Sequence, residues 1–510
     1  MEEIPFQTLA GAVAGHAARE PDRAALADEN GVVSYADLHK HVGILARHLL
    51  AGGLQKGDRV AILARKRPET VAAFVAATQA GGVAVTLDYT QQPHSLQATL
   101  RLVSPTFLIL VEDEFAELAG SLRSVSTGTR FFSLPGLGSE AWRRLLPGAA
   151  VELPSPQPDD PAYLNLTSGS TGQPKAAAAT HANIYWNSLA AIQALKLKAE
   201  DRHLTLFPIY GHPHEIFVRA FYLGGCAILA DGVSPQKIAR LCELHRPTTM
   251  MAATAIYQTI SRSQHLRIEH LAGLRVAECG GMHLPSSVAL AWCQQSGIEL
   301  TPVWGSTETT GIVLAQTPGE ERIPGSVGKP CPHYEVALVR DDGEGCDPGE
   351  HGELLVRGPA VVSHYLTGEQ DASPDFRAGW FHTGDIFSRD ADGRFFFSGR
   401  KSGMMKVVGL RVYPIELEEV IASHPAVAEV AVVGVSHPTR GEIPKAFVVV
   451  RDGFSADASG LRAFCEEHLA AYKVPREFVF SSSLPRTSGG KVIYAALNGV
   501  PPEDARRQSA

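Results

Sequence analysis

From Tyr35 to Ala51 (YADLHKHVGILARHLLA) apolar residues recur at the three- and four-residue spacing of a helix with one buried face. Asp58 to Leu63 (DRVAIL) is a short apolar run of strand length. Pro68 to Ala80 returns to the helical period, and Gly82 to Leu87 (GVAVTL) is again strand-like. Helices alternating with short apolar strands predict α/β layers around a largely parallel sheet. The prolines of Val151 to Pro161 (VELPSPQPDDP) remove backbone donors and restrict the residues before them, so a loop is predicted there. Between Gly325 and Gly358 the pattern shortens, with turn signals at Asp341-Asp342-Gly343 and Asp347-Pro348-Gly349, and predicts a β-rich subdomain. After Arg400 the mixed pattern resumes. Glu416 to His424 and Ser459 to Ala471 read as helices, and Val427 to Val435 and Lys445 to Val450 as strands. The expected fold class is therefore α/β. A large N-terminal domain (residues 1–401) would carry the parallel-sheet layers and the β-rich part, followed by a small α+β domain (residues 402–510) of ordinary domain size.

The bulk properties narrow the function without choosing it. With 510 residues, 45% of them hydrophobic and 20% charged, the chain can bury two or three large cores and has the composition of a soluble globular protein. A net charge of −8 argues against a general binder of nucleic acid or of anionic membranes, since either needs a basic surface. The start MEEIPFQTLAGAVAGH lacks the basic and apolar regions of a secretory signal. Val71 to Leu87, the longest apolar stretch, is broken by Thr78, Gln79 and Gly81-Gly82, and reads as a buried helix running into a strand. The seven cysteines are scattered and never form a CxxC pair, which predicts free thiols, a reducing cytoplasm and no zinc site.

The strongest local signal for chemistry is Leu166-Thr167-Ser168-Gly169-Ser170-Thr171-Gly172-Gln173-Pro174-Lys175. Glycines let the backbone turn several N–H groups toward one point, hydroxyls add donors, and a lysine adds charge, so the segment can cradle polyphosphate. It lies between a strand-like Ala162 to Leu166 and a helical stretch from His181. It is not a Walker A loop, because Gln and Pro separate Lys175 from Gly172 and Ala follows it. Taken alone, a Ser/Gly loop is more often merely flexible.

Further segments follow in order: Trp304-Gly305-Ser306-Thr307-Glu308, Trp380-Phe381-His382-Thr383-Gly384-Asp385, Gly399-Arg400 with Lys406 and Gly409-Leu410-Arg411-Val412, and Leu484-Pro485-Arg486-Thr487-Ser488-Gly489-Gly490-Lys491. Singly these are a core tryptophan, a Gly-Asp turn, a basic surface loop and a tail lysine. Together, over roughly Leu26 to Val492, they resemble the adenylate-forming superfamily of acyl- and aryl-CoA synthetases, peptide-synthetase adenylation domains and luciferases. The resemblance implies ATP and Mg²⁺ as cofactors. By it, Lys175, the phosphate loop from Thr167 to Gly172 and Gly281 would face the nucleotide. Trp304 would stack on adenine with Gly305 beside the nucleotide, Thr307 would bond the α-phosphate and Glu308 would hold the metal. A carboxylate beside a triphosphate needs a cation between them. Asp385 would accept both ribose hydroxyls, and Arg400 would also contact the ribose. Lys491 would reach from a mobile C-terminal domain to the substrate oxyanion and the α-phosphate, and Ser402 would stand at the pivot.

The function so implied is adenylation of a small carboxylic acid, followed by acyl transfer to CoA or to the phosphopantetheine thiol of an acyl carrier protein, by a free-standing enzyme. Two departures from the family pattern bear on it. The pivot is commonly Asp or Lys, and here it is Ser402 followed by Gly403. In Phe207-Pro208-Ile209-Tyr210-Gly211-His212-Pro213-His214-Glu215, many family members place His or an aromatic where Gly211 stands. Tyr210 lies where amino-acid-activating members carry an aspartate, which argues against an ordinary α-amino acid. His212 is the first candidate for the acyl pocket, with Gly280-Gly281-Met282 and Thr309-Thr310-Gly311 as its other wall. Two further readings stay open: adenylation of another oxyanion such as nitrite for diazotisation of an arylamine, and a nucleotide-binding protein that has lost catalysis.

Overall fold

The computed structural model describes residues 4–110, 112–123, 128–134, 151–168, 174–281, 283–366, 375–486 and 492–497. Helix Tyr35–Ala51 begins where the sequence supplies a cap, with the Ser34 hydroxyl accepting from the Asp37 N–H, and helix Pro68–Gln79 starts on a proline, whose missing N–H costs nothing there. That second helix is apolar on nearly every side because it lies between two sheets. It touches strand Ala24–Asp28 on one side and strands Arg59–Leu63 and Val83–Thr86 on the other. The core around it joins Tyr35, Phe74, Tyr163, Phe217 and Phe221.

The smaller of these sheets has seven strands. Val83–Thr86, Arg59–Leu63, Phe107–Leu110 and Arg130–Ser133 run parallel, and at the other end Pro161–Ser168, Pro174–Thr180 and Tyr365–Leu366 complete it with antiparallel pairs. The larger sheet has fourteen strands. A parallel block (Ala24–Asp28, Cys226–Leu229, Arg202–Thr205, Thr249–Ala253, Val276–Gly280, Leu300–Ser306) passes through Gly311–Ala315 into antiparallel strands between Ser326 and Arg400. The expected β-rich subdomain is this antiparallel extension.

A third sheet of five strands lies between Met405 and Phe480 and carries helices Pro414–Ala422 and Ala458–His468 with its own core. It is a small C-terminal domain. It meets the rest of the chain through Gln258, which donates to the Ala428 carbonyl at 3.3 Å, and through His283 against Glu419 at 3.1 Å. The helix expected over Ser459 to Ala471 stops at His468, where the chain turns extended.

One element differs in kind. The run Ala176 to Ala179 carries no strand signal, yet it lies inside strand Pro174–Thr180, where pairing with Tyr163 to Leu166 decides its conformation. All seven cysteines are free. Among the described residues no helix is long and apolar enough to cross a membrane.

Candidate active site

Several expected site residues, Gly169, Ser170, Thr171, Gly172, Met282 and Lys491, lie outside the described residues. Thr167 and Ser168 end strand Pro161–Ser168, and in the antiparallel register they face Lys175 and Pro174. Lys175 is therefore the second residue of the return strand Pro174–Thr180. Its Nζ is 3.6 Å from the Asp375 carboxylate and 4.8 Å from the centre of the Tyr365 ring.

Tyr365 carried no signal in the sequence. Its two-residue strand pairs with Ala176 and Ala177, which fixes the ring beside Lys175. Its hydroxyl donates to Glu308 Oε1 at 2.5 Å. Burial, and then the neighbouring Glu308 charge, push the phenol well above its ordinary range, so it remains a donor throughout the physiological range.

Glu308 stands in a tight return between strands Leu300–Ser306 and Gly311–Ala315. A Cβ on Gly305 would lie 2.1 Å from the Gly311 carbonyl oxygen, so only glycine allows this approach. The Thr309 hydroxyl accepts from the Ser306 N–H at 2.9 Å and donates to the Gly311 carbonyl at 2.7 Å. Tyr334 donates to the Thr309 carbonyl and His214 Nε2 to the Thr310 carbonyl, each at 2.7 Å. Burial lowers the His214 pKa to about 3, so the imidazole is a neutral donor. Thr307 and Glu308 are half-buried at the tip of a turn whose backbone is tied down on several sides.

Asp385 and Arg400 are cross-strand partners in the antiparallel pair Trp380–Arg389 and Phe395–Arg400. Arg400 Nε lies 2.9 Å from Asp385 Oδ1, and Trp304 Nε1 donates to Asp385 Oδ2 at 3.0 Å. The tryptophan edge also meets Phe387, with ring centres 5.4 Å apart. Asp385 is only 3% exposed, so its carboxylate is presented at a set angle. The Arg400 charge is felt at Tyr365. Tyr365 thus joins Lys175 to Glu308, and the Asp385–Arg400 pair is close enough for the Arg400 charge to act on the same ring.

The expected acyl-pocket residues gather on the other side of the same turn. His212 precedes helix Pro213–Leu223, with Nδ1 at 3.6 Å from Glu215 Oε2 and 3.4 Å from Asn165 Nδ2. Gly311 has φ of 126°, and a Cβ there would come within 2.6 Å of both Glu215 and Asn187. Gly280 is a packing glycine, since a Cβ would meet Val303 at 2.7 Å. Gly281 is exposed with φ of 76°, beside the Phe207 ring. Ser402 lies in the exposed 3-10 turn Lys401–Gly403, where Lys401 pairs with Glu353 at 3.1 Å.

The model of the AMP-binding enzyme family matches residues 13–366, and that of the AMP-binding enzyme C-terminal domain matches residues 416–491. The chain belongs to the AMP-binding enzyme family. A feruloyl-CoA synthase of Amycolatopsis sp is 32% identical to this AMP-binding enzyme over 478 residues, spanning 93% of this chain and 95% of that protein. An indoleacetate–CoA ligase of Aromatoleum aromaticum is 31% identical, over 94% and 95% of the two chains. Among solved structures, the anthranilate CoA ligase AuaEII in complex with anthranoyl-AMP superposes with a TM-score of 0.89 at 26% identity, over 98% of each chain. ATP-bound MatB from Rhodopseudomonas palustris gives 0.88 at 29% identity, over 96% and 98%. The C-terminal match in this AMP-binding enzyme ends on Lys491, the lysine singled out from the sequence.

Proposed function

We propose that this AMP-binding enzyme is an acid–CoA ligase that works through an acyl-AMP. In the first step a carboxylate oxygen of the acid bonds to the α-phosphorus of ATP as the α–β bridging bond breaks, releasing pyrophosphate. In the second the CoA thiolate bonds to the acyl carbon, the bond to the phosphate oxygen breaks, and AMP leaves. The relatives named CoA synthase or ligase, and the neighbour holding anthranoyl-AMP, support both steps. The single observation that carries the reading is that Tyr365 joins Lys175 to Glu308 while the Arg400 of the Asp385–Arg400 pair lies within charge range of the same ring.

Acid and ATP are both anions, so the protein must suppress their repulsion and hold them in line. In this reading Lys175 and the amides of the phosphate loop take the outer phosphates, and Thr307 bonds the α-phosphate. Asp385 accepts the ribose hydroxyls, held at its angle by Trp304 and Arg400. Lys491 bridges the attacking oxygen and the α-phosphate. The small domain begins at residue 402 and turns about Ser402 between the two steps. Its exposed turn, and the glycine that follows, support that division.

Glu308 is the candidate ligand for Mg²⁺. Tyr365 occupies one of its oxygens, and among the described residues no hydrogen bond is made to the other. No group of three or more His, Cys, Asp or Glu among the described residues could hold a metal by itself. A single carboxylate fits an ion held jointly with phosphate oxygens. When bound there, Mg²⁺ neutralises phosphate charge.

The test is pyrophosphate release from ATP and Mg²⁺ across a panel of carboxylic acids plus nitrite, with and without CoA. Acid-dependent release stimulated by CoA is expected. Release only with nitrite and an arylamine would select diazotisation, stimulation only by a phosphopantetheinylated carrier protein would move the acceptor, and silence throughout would indicate lost catalysis.

A further inference from the structure

The segment from Ala360 to Leu366 bridges two parts of the site, yet none of the sequence motifs includes it. At one end it is tied to the turn that carries Glu308. The Val362 N–H donates to the Glu308 carbonyl at 2.8 Å, and the Thr310 hydroxyl to the Ala360 carbonyl at 2.7 Å. At the other end strand Tyr365–Leu366 pairs with strand Pro174–Thr180, with Tyr365 opposite Ala177. Lys175 lies two residues from Ala177, hence on the same face and diagonal to Tyr365, a separation that an aromatic ring and a long side chain can span. The Tyr365 ring is buried and meets Phe376 in a T-shaped contact, with centres 5.6 Å apart. Backbone pairing and packing together leave it little freedom.

Two parts of this one side chain serve two groups of opposite charge. The hydroxyl donates to Glu308 Oε1 at 2.5 Å, a length typical of a hydrogen bond to an ionised acceptor. The ring centre lies 4.8 Å from Lys175 Nζ, within reach of a cation–π contact. Lys175 has a carboxylate beside it in Asp375, at 3.6 Å, and among the described residues no ion pair joins it to Glu308. A direct pair would use up the charge that each must present to a ligand. A phenol suits this place because it donates to a carboxylate without adding charge, whereas lysine or arginine there would neutralise Glu308.

We propose that Tyr365 is a positioning residue for the adenylation step: its hydroxyl orients the Glu308 carboxylate toward the magnesium of MgATP, and its ring holds Lys175 nearby for the phosphates without letting the two charges pair. This rests on the ligase reading above, in which Glu308 takes Mg²⁺ and Lys175 the outer phosphates. Donors that hold a metal-binding carboxylate fix its angle, and their loss is felt in metal affinity. The ring acts on the lysine independently of the metal, so the two roles separate in experiment.

The test measures ATP binding to the full chain by calorimetry with no acid present, once with Mg²⁺ and once with a chelator. Tyr365→Phe keeps the ring and removes the donor. It should weaken MgATP binding by about 10-fold or more, the usual cost of losing a partner of a metal ligand, and metal-free ATP binding by less than about twofold. Tyr365→Leu removes the ring as well, and should weaken metal-free ATP binding by about two- to fivefold, as loss of a cation–π contact would. If Tyr365→Phe does not fold, judged by urea unfolding, 4-fluorophenylalanine in place of Tyr365 fills nearly the same space without a donor, and the same loss is expected. Equal weakening of both forms of ATP by the Phe variant, or none, would overturn the proposal while the ligase reading stood, as would metal-free binding unmoved in Tyr365→Leu. No pyrophosphate release by the wild type with any acid would remove the ligase reading itself, and with it the step assigned to Tyr365.

Discussion

Trp304→Phe tests how the nucleotide side of the site is built. The substitution keeps an aromatic edge against Phe387 and deletes the N–H that reaches Asp385 Oδ2 at 3.0 Å. Asp385 is 3% exposed, so water cannot easily replace that donor. Arg400, a second partner, is 67% exposed in the side chain, and an ion pair on so wet a group is worth little. Of these two partners the tryptophan is therefore the stronger hold on the carboxylate. A hydrogen bond to a charged group contributes about 1.5–3 kcal/mol. The smaller ring forfeits about 1 kcal/mol more through lost apolar contact.

A double-mutant cycle separates the two contributions. Stability of wild type, Trp304→Phe, Asp385→Asn and the double variant would be measured by urea unfolding followed by far-UV circular dichroism. The cycle should show a coupling of about 1–2 kcal/mol, because the asparagine removes the charge that makes the bond strong. In turnover, Trp304→Phe should raise the KM for ATP more than it lowers kcat. Additivity within about 0.3–0.5 kcal/mol would refute the reasoning, since independent sites behave in that way.

Lys491→Ala should lower acid-dependent pyrophosphate exchange by about 10²–10³ while calorimetry still detects ATP binding, the usual cost of one preorganised donor. Gly305→Ala should lose about 1–3 kcal/mol in urea, with nucleotide-dependent activity lost as well, because its methyl would stand 2.1 Å from the Gly311 carbonyl oxygen. Glu418 is buried in the small domain, accepting from the Val432 N–H and the Tyr494 hydroxyl, and burial pushes its carboxyl from 4.5 up to about 7. The raised value means its contribution to stability is whole below pH 4.5 and is lost as pH rises through about 7. Between those limits wild type should lose about 3 kcal/mol relative to Glu418→Gln, read as the difference between their urea unfolding curves at each pH.

Much of the architecture was legible because periodicity reports burial directly. Tyr35–Ala51 and Pro68–Gln79 follow from apolar spacing and a cap or a proline, and the strands between them from short apolar runs. The nucleotide motifs were legible because each is local. What escaped depends on distant partners. The alanines of Pro174–Thr180 become a strand only because both neighbours pair with them. Tyr365 has no motif, and it reaches Glu308 across 57 positions in the chain. Glu215 and Arg219 are four apart on one helix, a spacing that suggests a pair, but Glu278 joins them only through the parallel sheet. Trp304 was read as an adenine-stacking residue, and its bond to Asp385 spans 81 positions that no local pattern connects.

The central claim is that the enzyme cuts ATP between its α- and β-phosphates to make a mixed anhydride of acid and AMP. Phosphorus NMR of a turnover mixture with a substrate acid and CoA tests it directly. The account predicts AMP and pyrophosphate in equal amounts as the acyl-CoA accumulates. Accumulation of ADP and inorganic phosphate in their place would contradict it.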